Sequence, residues 1–165
     1  IFRMTKGGKL IDGIFVGETI NTPSMLAVED YLDALHWAKA LGGFKALEAR
    51  ANANLDVLAK WVAKTPWIDF LAKSEATRSN TSVCLVVVDP AVKALDADGQ
   101  AAFAKGLATA LDKAGVAYDI GAYRDAPPGL RIWAGATIEA SDLEILTEWL
   151  DWAFASQKAG LKKAA

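Results

Sequence analysis

The chain has 165 residues, a formal net charge of −2 and an isoelectric point near 5.4. Without clustered Lys and Arg there is no general nucleic-acid surface. No apolar run approaches the roughly 20 residues that span a bilayer, and no segment has the layout of a signal peptide. A single Cys84 excludes an internal disulfide and fits a reducing cytosol, and one His and one Cys do not make a zinc cluster, so no metal is expected.

The opening Ile1-Phe2-Arg3 lacks an initiator Met, as expected of a chain that starts in mid-sequence. Residues 1–23 read as loop and short extended pieces interrupted by Gly7, Gly8, Gly13 and Gly17. Thr22 is placed to cap a helix with Pro23 at its first position. That helix is expected over about 24–40, with Met25, Val28, Leu32, Leu35 and Ala38 at helical spacing. Gly42-Gly43 breaks it. A second helix is expected over about 44–64, with a stripe of Leu47, Ala51, Leu55, Leu58, Trp61 and Val62 and a stop at Thr65-Pro66.

Short extended or irregular chain follows from Trp67 to Lys73. The run Thr81 to Val88 is rich in β-branched residues and stops at Asp89-Pro90, so it predicts a buried strand with Cys84 as inert core. A third helix is expected over about 98–114, ending at Gly115. Strands follow at 118–122 and 130–134, joined by a loop with Pro127-Pro128-Gly129. Ser141 and Glu144 form a capping box that opens a fourth helix over about 142–156, and residues 158–165 read as fraying helix. The order from residue 81 onward predicts a small α+β layer with helices on one face of an antiparallel or mixed sheet. Six Trp point either to a partner interface or to a dense core.

Two segments carry chemistry. Gly17 to Pro23 brings Asn21, Thr22 and free backbone N–H groups to a helix N-terminus, which either attracts phosphate or carboxylate or is plain capping. In the second, Arg131 stands in an apolar strand and must be paired or await an anionic ligand; its planar fork fits a carboxylate. Arg124, across the Pro-Pro turn, either holds a second anionic group or pairs locally with Asp125. His36 falls mid-helix and reads as structural. Lys6-Gly7-Gly8-Lys9 makes at most a weak anion-binding turn.

Four segments resemble the phosphoserine aminotransferases, pyridoxal-phosphate-dependent enzymes of the class V aminotransferase family. They are Ile1 to Leu10, Gly17 to Leu26 with its Asn-Thr-Pro, Arg78 to Leu85, and Ala122 to Trp133. The resemblance implies a C-terminal portion of such an enzyme. Residues 1–41 would be the helical tail of the large α/β cofactor domain. Residues 42–165 would be the small domain, with the helix at about 44–64 between the two. It implies a cytoplasmic homodimer that exchanges an amino group between phosphoserine and 2-oxoglutarate in serine biosynthesis.

By resemblance, Asn21 and Thr22 would touch the phosphate of pyridoxal 5'-phosphate across the dimer. Arg131 would take the substrate carboxylate and Arg124 would lie near the substrate phosphate. Tyr123 stands where some relatives have His. The Schiff-base lysine is expected upstream; Lys6, Lys9, Lys39 and Lys45 lack its Gln-Lys context. The chain alone is therefore expected to be inactive, and its first helix to have lost its native covering. Two alternatives stay open: a sister aminotransferase of the alanine–glyoxylate type, and a stand-alone α+β regulatory module that binds a small anion.

Overall fold

The computed structural model describes residues 4–18 and 22–164. It divides into two compact units, 1–44 and 45–165.

In the first unit, strands β1 (Thr5–Lys6) and β2 (Lys9–Leu10) pair antiparallel. Gly7 and Gly8 join them at φ 59° and 76°, the doubly left-handed turn that matches strand twist and favours glycine. A 3-10 turn over Asp12–Val16 follows. Helix α1 spans Met25–Ala40. Its N-cap is Ser24, whose hydroxyl accepts from Ala27 N at 3.4 Å; the expected cap Thr22 and first helical residue Pro23 both precede the helix. Ser24 takes the role because its backbone is extended immediately before the first helical turn. No residue of α1 is buried, although Met25, Leu26, Tyr31 and Leu35 are large and apolar.

The second unit is built on helix α2 (Phe44–Lys64) and a three-stranded antiparallel sheet in the order β3-β4-β5. These strands are Ile68–Phe70, Ser82–Val87 and Leu130–Trp133. Alternation decides the faces. Ile68 and Phe70, Val83, Leu85 and Val87, and Leu130 and Ile132 are buried, while their neighbours Ser82, Cys84, Val86 and Arg131 are half-buried. The buried face packs with Leu58 and Trp61 of α2, Leu107 and Leu111 of α4 (Ala97–Lys113), and Leu150 and Phe154 of α5 (Ala140–Ala164) in one core. The expected α+β layer with helices on one face is thus present, with a wholly antiparallel sheet. Each fully buried Leu stabilises it by about 1.5–3 kcal/mol.

Three further expectations are corrected. Residues 118–122 do not form a strand. Asp119 takes a left-handed backbone at φ 53°, which breaks the extended run, and only Gly121 makes an isolated bridge, to Leu130. In the stretch expected to be short extended or irregular, β3 pairs with the edge of β4 opposite β5. The capping box at Ser141 is not made, because α5 begins at Ala140 and encloses Ser141; the same helix continues through residues 158–164. Cys84 lies on the half-exposed face with its thiol toward Ser82 O, and so is not core.

The Trp residues divide. Trp61 and Trp67 are core, Trp67 stacking on Phe154 at 4.3 Å, and both indole N–H groups donate to Asp151, at 3.1 and 2.8 Å. Trp37, Trp133, Trp149 and Trp152 are exposed. A short helix α3 (Pro90–Lys93) starts at Asp89, whose carboxylate accepts from Ala91 N and Val92 N and from Lys158 at 2.6 Å.

Candidate functional site

Arg131 enters the site because strand alternation turns it away from the core. Its neighbours Leu130 and Ile132 are buried, and its partner across the ladder is Cys84. Its backbone N–H donates to Ile120 O at 2.8 Å, so chain 119–121 runs along the free edge of β5. Its Nη2 donates to Asp119 Oδ2 at 3.0 Å, and its Nε is buried with no partner among the described residues. An orphaned charged donor of this kind is a cost that an anionic ligand removes.

The turn before β5 is fixed by Gly129. A Cβ there would lie 2.1 Å from Leu85 O, so only glycine lets the Pro127-Pro128 turn pass this close to β4. Beyond β5, the loop to α5 is held from α2. Asn54, 1% exposed, donates through Nδ2 to Ala134 O, Gly135 O and Ile138 O at 3.0–3.1 Å. Arg50 Nε donates to Ala136 O at 2.8 Å. The strand bearing Arg131 is therefore clamped at both ends.

Two hollows border this strand and its loop. One, about 460 Å³, is lined by Arg131, Asp119, Ser82, Tyr118, Trp133 and Asp142 among others. The other, about 400 Å³, includes Arg124, Tyr123, Lys105, Thr109 and Pro128. Asp119 and Ile120 line both. Arg131 and Arg124 are thus neighbours across a shared wall and do not face one hollow. Arg124 is exposed and forms no ion pair among the described residues, with Asp125 or any other; Arg131 is the paired one. Asn21 lies outside the described residues, and Thr22 is exposed.

Sequence reasoning missed Asp119 as the partner of Arg131 and Asn54 as the clamp. The signal for Asn54 was present: it falls three residues after Ala51 and four before Leu58, on the buried stripe of α2. Among the described residues no group of three or more His, Cys, Asp or Glu is placed to hold a metal, and no helix is long and apolar enough to cross a membrane.

The architecture is that of an aminotransferase C-terminal region. A phosphoserine aminotransferase from Bacillus circulans subsp. alkalophilus superposes with a TM-score of 0.67 at 14% identity, over 83% of this chain and 34% of that one. A second phosphoserine aminotransferase structure, from a study of radiation damage to the Schiff base, gives 0.70 at 14% identity over 92% and 40%. At this identity the likeness concerns the fold alone. No protein-family model matches the chain. By sequence the chain is a homologue of the phosphoserine aminotransferases. It is 54% identical to that of Methanosarcina barkeri and 55% to that of Methanosarcina mazei, over 154 residues in each case. These matches cover 93% of this chain and 39% of each relative, so the chain spans well under half of their length.

Proposed function

We propose that this chain is the C-terminal portion of a pyridoxal-phosphate transaminase that exchanges an amino group between phosphoserine and 2-oxoglutarate in serine biosynthesis. The identity of 54–55% to phosphoserine aminotransferases over 93% of the chain carries the reading. In it, residues 1–41 close the large cofactor domain and 42–165 form the small domain of a cytoplasmic homodimer. The exposed apolar side chains of α1 support that division, since such a helix needs a covering partner.

The start of α1 fits a phosphate. Thr22 is exposed, and the first two helical amides, of Met25 and Leu26, have no partner among the described hydrogen bonds. Thr22 and Asn21 would hold that group of the cofactor, and the positive end of a helix would favour its charge. When bound, pyridoxal phosphate supplies the electron sink that lets an amino group move between carbon skeletons. The lysine that anchors it needs a neutral amine, which burial produces. Of the lysines whose side chains are described, only Lys158 is half-buried, and it is ion-paired to Asp89. The anchoring lysine would therefore be supplied by the part of the enzyme outside this chain, leaving the chain inactive alone.

Arg131 would hold the carboxylate common to amino donor and 2-oxo acid. Arg124, on the neighbouring hollow beyond the wall of Asp119 and Ile120, would draw the phosphate of phosphoserine, a second anionic group that alanine lacks. Tyr123 adjoins Arg124 and offers one hydroxyl. The test is transamination by the full-length enzyme with phosphoserine and 2-oxoglutarate, against alanine and glyoxylate. Turnover of the first pair at least 100-fold above the second is expected; a preference for alanine would transfer the assignment to the sister class. The 165-residue chain mixed with an equimolar amount of cofactor should yield no lysine that is selectively and stoichiometrically reduced onto it, and such selective reduction at Lys6 or Lys9 would contradict this account.

A further inference from the structure

We infer that Asp119 is a resident counter-ion of Arg131, which an incoming substrate carboxylate must displace, so that Asp119 sets the affinity of the site. The inference rests on Arg131 as the carboxylate ligand. A guanidinium offers two bidentate edges, Nε with Nη2 and Nη1 with Nη2. Nη2 belongs to both, and it is the donor bonded to Asp119 Oδ2 at 3.0 Å. A carboxylate that docks on either edge therefore meets the charge of Asp119 beside it. The Nε donor of the first edge is buried without a partner, so Asp119 does not satisfy the guanidinium; it occupies it in part.

The two partners are held unequally. Arg131 lies in a paired strand with its side chain 35% exposed, whereas the Asp119 side chain is 90% exposed on a bend. Asp119 is thus the group that can swing away. Its backbone is left-handed at φ 53°, a conformation that Asp and Asn tolerate better than other non-glycine residues. It also borders both hollows, so its carboxylate has open space to move into.

The test uses Asp119→Asn in the full-length enzyme, which keeps the shape and the left-handed backbone and removes the charge. Exposed ion pairs are weak, so the KM for both amino donor and 2-oxoglutarate should fall about two- to five-fold with kcat and melting temperature unchanged. The inhibition constant of succinate, a plain dicarboxylate, should fall by the same factor, and the gap to wild type should narrow in high salt. An unchanged or raised KM in Asp119→Asn, with a raised KM in Arg131→Ala, overturns this inference alone. An unchanged KM in Arg131→Ala overturns the assignment of Arg131 and the inference with it.

Discussion

Asn54→Asp is a nearly isosteric change that tests the clamp on the Arg131 strand. Asn54 Nδ2 offers two N–H groups to three carbonyls, those of Ala134, Gly135 and Ile138, so one bond is shared. Asp replaces these donors with an acceptor that faces the same three oxygens. Two lost hydrogen bonds cost about 1 kcal/mol each, and buried acceptors left without donors cost about 1–3 kcal/mol more. The sum, about 3–5 kcal/mol, is a large part of the 5–15 kcal/mol typical of a domain. Urea unfolding at pH 7, followed by tryptophan emission, should show this loss. Burial raises the folded pKa of the new carboxyl above its unfolded value, so the penalty is present above the folded pKa. It should shrink as pH falls toward 5, where the acid regains one donor. Equal stability of wild type and variant at pH 7 would refute the clamp.

Gly129→Ala should destabilise by about 3 kcal/mol, since its Cβ meets the backbone oxygen of Leu85 and a sheet strand cannot give way; thermal melting checks this, and an unchanged midpoint counts against the close approach. Burial of Asp89 opposes its charge, but the Lys158 hydrogen bond and the Ala91 and Val92 amides outweigh burial and hold its carboxyl below the usual range. Its contribution is therefore present above the ordinary aspartate pKa of about 3.9 and is lost as pH falls through the lower, folded value. Lys158→Met should remove about 1.5–3 kcal/mol at pH 7 and flatten the acid limb of the stability curve; an unaltered limb would contradict the pairing.

Helices α2 and α4 were legible because each is written twice, in an apolar period and in a punctuation mark. Gly42-Gly43 and Thr65-Pro66 bracket α2, and Gly115 closes α4. What failed was local chemistry that tertiary structure reassigns. Tyr118 to Ala122 has strand composition, yet the left-handed turn at Asp119 breaks the extended run and leaves a single bridge, Gly121 to Leu130, beside β5. Ser141 and Glu144 fit a capping pattern, but the helix starts a residue earlier. The outward placement of Arg131 was legible, because a charged residue between Leu130 and Ile132 must face away from the core. Its partner, twelve residues upstream, was not, because the pairing depends on a turn with no glycine to mark it. Nor does sequence spacing reveal that Arg124 lies beyond a shared wall.

The central claim is that Arg131 holds the carboxylate of both substrates of a phosphoserine transaminase. Steady-state kinetics of Arg131→Ala in the full-length enzyme test it most directly. Loss of a charge-assisted bond worth about 1.5–3 kcal/mol should raise the KM of phosphoserine and of 2-oxoglutarate together, by about 10- to 150-fold, with Arg131→Lys between. Unchanged KM values for both substrates would contradict the account.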